Sequence, residues 1–70
     1  MAEVRAEMVA NVWKIVVSEG EVVDEGDTLV ILESMKMEIP VLAEDAGTIT
    51  TLQVKEGDVV QEGDLIAVIE

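Results

Sequence analysis

The chain contains no cysteine and no histidine, and Trp13 is its single aromatic residue. Without cysteine there is no disulfide staple and no thiolate chemistry, and without histidine the commonest metal ligand and general base are missing. Carriage of a phosphoryl group on histidine is excluded with them. Basic side chains are scarce as well: four against sixteen acidic ones, a formal net charge of −12. Such a field repels nucleic-acid phosphates and anionic lipid surfaces, so no nucleic acid and no membrane is expected as a partner. It also opposes tight self-association, so a monomer is expected. Apolar runs such as Leu29 to Leu32 fall far short of the roughly 20 residues that span a bilayer. The N-terminus shows no basic region followed by an apolar stretch, and a soluble, cytoplasmic protein is the expectation.

What is there is aliphatic. Half of the residues are apolar, mostly Val, Ile, Leu and Met, a composition that suits a small β-core better than an aromatic binding groove. Seventy residues make one small domain, residues 1–70, and a chain of that size buries only about 60% of its extended surface. Stability then rests on apolar packing and strand pairing alone.

A repeat organises these residues. Shifted by 37 positions, Val12 to Glu33 (VWKIVVSEGEVVDEGDTLVILE) aligns with Ile49 to Glu70 (ITTLQVKEGDVVQEGDLIAVIE), and nine of the 22 pairs are identical, Gly20 with Gly57 and Gly26 with Gly63 among them. Six of the other 13 pairs exchange one aliphatic side chain for another, so core volume is repeated along with turn chemistry. Each copy reads strand, turn, very short strand, turn, strand. Glycine permits the backbone of the breaks, and Asp27, Asp58 and Asp64 follow glycine where a short acceptor stabilises a turn. Helical periodicity is always interrupted before three turns are complete.

Strands are predicted at Glu3 to Val9, Asn11 to Val17, Val22 to Val23, Thr28 to Ser34, Met37 to Ala43, Gly47 to Val54, Val59 to Val60 and Leu65 to Ile69. Eight short strands suggest an all-β fold, a flattened antiparallel barrel or sandwich of two four-stranded sheets with internal two-fold symmetry. Pro40 belongs on an edge or a bulge, and Trp13 in core or edge packing. The remaining acidic residues of the turns read as solvated surface.

Within ESMKMEIP, residues 33 to 40, strand character on both sides leaves Met35 and Lys36 as the central pair of a tight hairpin. Such hairpins favour type I′ or II′ turns, for which Asn-Gly or Gly-X is the comfortable choice. Met-Lys is not, and the departure points to a site where strain is tolerated so that the lysine stands out. The repeat places Lys36 opposite the meeting point of the two termini, at a pole away from the termini and the acidic turns. An exposed hairpin lysine commonly serves only solubility or edge protection. Its neighbours favour more, since Met35 and Met37 are adaptable side chains suited to engaging a partner, although Met37 also fits a core position.

Glu33-Ser34-Met35-Lys36-Met37-Glu38 resembles the biotin attachment motif, usually written A-M-K-M, of biotinyl carrier domains in biotin-dependent carboxylases. The duplicated EGD turns and Ala46-Gly47-Thr48-Ile49 extend the resemblance over nearly the whole chain. Ser34 stands where alanine is usual and Ala10 where glycine is usual. The chain also resembles a minimal version of the family, without a longer N-terminal linker, a thumb-like loop or attached catalytic domains. The resemblance implies a swinging-arm carrier that is not itself an enzyme. A biotin protein ligase attaches biotin covalently to Lys36, and the arm moves carboxybiotin between the biotin carboxylase and carboxyltransferase subunits of a carboxylase. It further implies that Met35 and Met37 present the lysine and are read by the ligase. Glu33 and Glu38 are candidate ligase contacts, or simply solvated strand residues.

Two other readings stay open. Lipoyl carriers share the duplicated fold, with lipoate on the lysine, but usually place an acidic residue before it and a small one after. An unmodified interaction module is the third reading, and it requires no adduct. Enzymatic acid or base work falls to carboxylates alone.

Overall fold

Runs of β-branched and aliphatic residues, broken by glycine, fold as eight strands. In the computed structural model, which describes residues 2–70, these are β1 (Ala2–Arg5), β2 (Ala10–Ile15), β3 (Val22–Val23), β4 (Thr28–Ser34), β5 (Met37–Leu42), β6 (Gly47–Leu52), β7 (Val59–Val60) and β8 (Leu65–Ile69). The strand expected from Glu3 to Val9 ends early, at Arg5. There the Ala6 N–H donates to the Asp64 carbonyl and the Gly63 N–H donates to the Ala6 carbonyl, so the backbone passes from the ladder to a turn. β5 stops one residue early for the matching reason: Ala43 exchanges bonds with Gly26 and Asp27.

The strands form two antiparallel four-stranded sheets, ordered β1-β8-β6-β3 and β5-β4-β2-β7. The 37-residue shift carries one sheet onto the other, β2 onto β6, β3 onto β7 and β4 onto β8. It also carries β1 onto β5, a relation outside the segment that the sequence aligned, supported by the identities Val4/Val41, Ala6/Ala43 and Glu7/Glu44. Burial follows the same symmetry. Val12 and Ile49, Val23 and Val60, Leu29 and Ile66, and Leu32 and Ile69 are buried as pairs in one aliphatic core. Pro40 lies on β5, an edge strand, where its missing N–H leaves no ladder bond unmade.

Bulges are symmetric too. Trp13 is the extra residue of β2 against β4, and Thr50 that of β6 against β8. Leu29 and Ile66 play this part on β4 and β8. The expectation for Trp13 is corrected: β2 is an inner strand, and Trp13 is 47% exposed, outside the core. Alternation from buried Ala10 and Val12 already aims Trp13 outward, and the inserted residue turns Lys14, which would otherwise follow Val12 into the core, outward beside it.

Acidic turn residues do more than face water. Asp27, Asp58 and Asp64 accept from the N–H groups of Asp24, Lys55 and Gln61, each at 2.8 to 2.9 Å. Glu19 accepts from the Leu52 N–H at 2.9 Å, and Glu56 from the Ile15 N–H at 3.2 Å. These two glutamates are equivalent under the repeat, and each ties its own turn to the bulged strand of the other copy. Gly57 adopts φ +94° in its turn, a conformation that L side chains rarely take. Gly47 is needed for a different reason, since a Cβ there would lie 2.5 Å from the Glu70 carbonyl oxygen.

The register fixes the two ends of the molecule, whose Cα extents are 31 × 17 × 17 Å. β7 lies against the start of β2, where Asn11 faces both Val59 and Glu33. β3 lies against the start of β6, beside the backbone pairing of Thr48 with Glu70. The turns that bracket β7 therefore share the β4–β5 hairpin's end, and those that bracket β3 lie with the paired ends of β1 and β8. Acidic turns are thus found at both ends, not only away from Lys36.

Candidate functional site

The site grows from β4 and β5, which pair from Thr28 with Leu42 up to Ser34 with Met37. Buried Leu32 and half-buried Ile39, opposite one another, anchor the arms of this hairpin to the core. Beyond the closing Ser34–Met37 pair only Met35 and Lys36 remain, with φ of 53° and 64°. Two central residues in the left-handed region mark a type I′ turn, because II′ requires positive φ only at the first. They are the positive-φ residues other than glycine among those described. Left-handed backbone costs an L-residue roughly 1–2 kcal/mol, so the surrounding ladder must hold this tip in shape.

Lys36 is exposed, and Met35 and Met37 flank it at 89% and 60% exposure. Met37 is therefore a surface residue, not a core one. Among the described residues the ion pair formed is Arg5 with Glu3 at 2.9 Å; Lys36 takes part in none and makes no side-chain hydrogen bond. Its amine is held out by the turn and tied to nothing. Lys14 and Lys55 are exposed as well, but Lys14 lies within the ladder opposite Ile31, and Lys55 begins a turn whose N–H is bound by Asp58.

Glu33 and Glu38 face one another across the hairpin, one residue below its closing pair. Glu33 is half-buried and Glu38 exposed. Like charges directly opposite on antiparallel strands repel. All five residues singled out in the sequence, Glu33, Met35, Lys36, Met37 and Glu38, thus gather at one hairpin end.

The site is a protruding tip, not a cavity. A cavity of about 430 Å³ lies elsewhere, between the edge strands β1 and β5, and Val4, Leu32, Ile39, Val41 and Ile69 are among its lining. Lys36 does not touch it. Among the described residues no group of His, Cys, Asp or Glu side chains is arranged to hold a metal ion, and no helix is long and apolar enough to cross a membrane. An exposed primary amine on a braced tip can attack an activated carboxyl group to form an amide.

Comparison with known proteins bears on what such a tip serves. The family model described as biotin-requiring enzyme, Biotin_lipoyl, matches residues 2–69. The chain is 65% identical over 51 residues to a biotinylated protein TB7.3 homolog of Mycobacterium leprae, a match that covers 71% of this chain and 72% of that protein. It is 44% identical over 46 residues to a biotin/lipoyl attachment protein of Bacillus subtilis, covering 66% of this chain and 63% of that one. Among solved structures, the urea carboxylase of Kluyveromyces lactis superposes with a TM-score of 0.92 at 38% identity, over 99% of this chain but 6% of the enzyme.

Proposed function

This chain belongs to the biotin/lipoyl attachment family, and on that footing we propose that it is a carrier whose Lys36 receives biotin as an amide from a biotin protein ligase. The observation that carries the proposal is Lys36 itself, exposed and unpaired on a type I′ tip between two exposed methionines. The residues fit the group: the amine is free to form the amide, and no neighbouring side chain shields it. When attached, biotin supplies a centre that takes up a carboxyl unit at one site and gives it up at another.

The chain's own part is mechanical and electrostatic. The β4–β5 ladder keeps Lys36 at the molecule's end, so that the amine enters a ligase pocket ahead of the acidic body. Met35 and Met37 give that pocket an apolar contact on either side, and the facing pair Glu33 and Glu38 offers a binding point for its cations. Carriage between biotin carboxylase and carboxyltransferase subunits follows from tethering, which replaces diffusion of free biotin by a high local concentration at both sites. The superposition on a urea carboxylase supports a carboxylase as the partner.

Lipoate is the second reading, favoured by the name of the Bacillus relative. The two methionine flanks weigh for biotin. Intact mass after incubation with a biotin protein ligase, ATP and biotin tests the proposal. One biotinyl adduct is expected on the wild-type chain and none on Lys36→Ala, with Lys14 and Lys55 unmodified. A lipoyl mass on protein from the native host, or a biotin adduct that survives Lys36→Ala, overturns it.

A further inference from the structure

The chain has four methionines and no cysteine or histidine. Peroxide therefore meets no thiol here, and the thioethers are the soft nucleophiles left to react with it. Exposure sorts them: Met35 is 89% exposed, Met37 60% and Met8 41%, while Met1 lies outside the described residues. Among the described residues, the two most exposed methionines flank the one lysine that the site presents. Neither side chain belongs to the core cluster.

We propose that Met35 and Met37 form a peroxide-sensitive modification site, and that their sulfoxides close Lys36 to the enzyme that modifies it. The inference rests on the reading of Lys36 as a biotin acceptor. In each event a sulfur lone pair attacks one oxygen of hydrogen peroxide, the O–O bond breaks and an S–O bond forms. A proton passes from the transferred oxygen to the departing hydroxide, so thioether and peroxide give sulfoxide and water. Sulfur is oxidised by two electrons and the peroxide is reduced by two. The flexible apolar contact becomes a polar, chiral one, and an apolar pocket shaped for the thioether must then bury an oxygen that it cannot pair.

Position separates this effect from damage to the fold. Met35 and Met37 lie outside the core, so their oxidation leaves the ladder and its apolar contacts in place. The reaction is reversible by methionine sulfoxide reductases, one for each sulfoxide epimer, which makes the tip a site that can be shut and reopened.

The test treats the whole chain with graded hydrogen peroxide, maps the oxygen by peptide mass, and measures biotin transfer by a biotin protein ligase. Met35 and Met37 are expected to oxidise ahead of Met8. kcat/KM for biotin transfer should fall at least ten-fold, with the urea midpoint unchanged, and both reductases together should restore it. The Met8→Leu variant should lose activity with the same peroxide dependence. Undiminished transfer to chains oxidised at both residues overturns the inference, as does a loss that tracks Met8 or a loss accompanied by unfolding. Failure of the untreated chain to accept biotin is a different result, because it removes the reading of Lys36 on which the inference stands.

Discussion

At the scale of single residues, the tip sets stability against presentation. Met35 and Lys36 occupy left-handed backbone that glycine takes without penalty. Lys36→Gly should therefore stabilise the chain by about 1 kcal/mol, seen as a higher urea midpoint at unchanged slope, while it removes the acceptor amine. A midpoint equal to or below that of the wild type would show that the strain relieved is no larger than the conformational entropy that glycine adds to the unfolded chain. The position of Lys36 was legible in the sequence because strand-forming residues reach the tip from both sides and leave two for the turn. Trp13 misleads, because a lone aromatic in an aliphatic strand suggests packing although alternation from Val12 aims it outward, and nothing in the sequence marks the bulge that turns Lys14 outward beside it.

Among elements, the turns show where sequence reading stopped. Glycine placed the four breaks inside the repeat, with aspartate directly after it in three, but neither residue marks the turn that ends the first strand at Arg5. The use of Glu19 and Glu56 was hidden, because their acceptor bonds run to Leu52 and Ile15, 33 and 41 residues away. Equivalence of the two copies yields a direct prediction for the local bonds. Asp27 and Asp64 accept counterpart N–H groups at 2.8 and 2.9 Å, so Asp27→Ala and Asp64→Ala should each cost about 0.5–1.5 kcal/mol. The two losses should match within error, and Asn in either place should recover part of them by offering an amide oxygen. Urea unfolding of the four variants measures this; two alanine variants as stable as the wild type would show that the turns hold without these bonds.

For the molecule as a whole, the scaffold is duplicated and the site is single. The place that corresponds to the Lys36 hairpin in the other sheet is taken by the paired ends of β1 and β8, so two-fold packing serves a one-fold function. The duplication also spreads like charge over both halves. Sixteen acidic and four basic side chains share a body only 17 Å across its shorter dimensions, and their repulsion opposes the compact state. The screening length is about 30 Å at 0.01 M salt, comparable to the molecule's 31 Å long axis, and about 10 Å at 0.1 M. Most of the repulsion should therefore vanish over that range. The aspartate and glutamate bonds to backbone N–H groups act at contact distance and are screened far less. Sodium chloride should accordingly raise the urea midpoint steeply up to about 0.1 M and only slightly beyond, where the screening length is already smaller than the body. A midpoint that falls with salt would mean that the carboxylate bonds outweigh the collective repulsion, and that the net charge of −12 is held at no cost to folding.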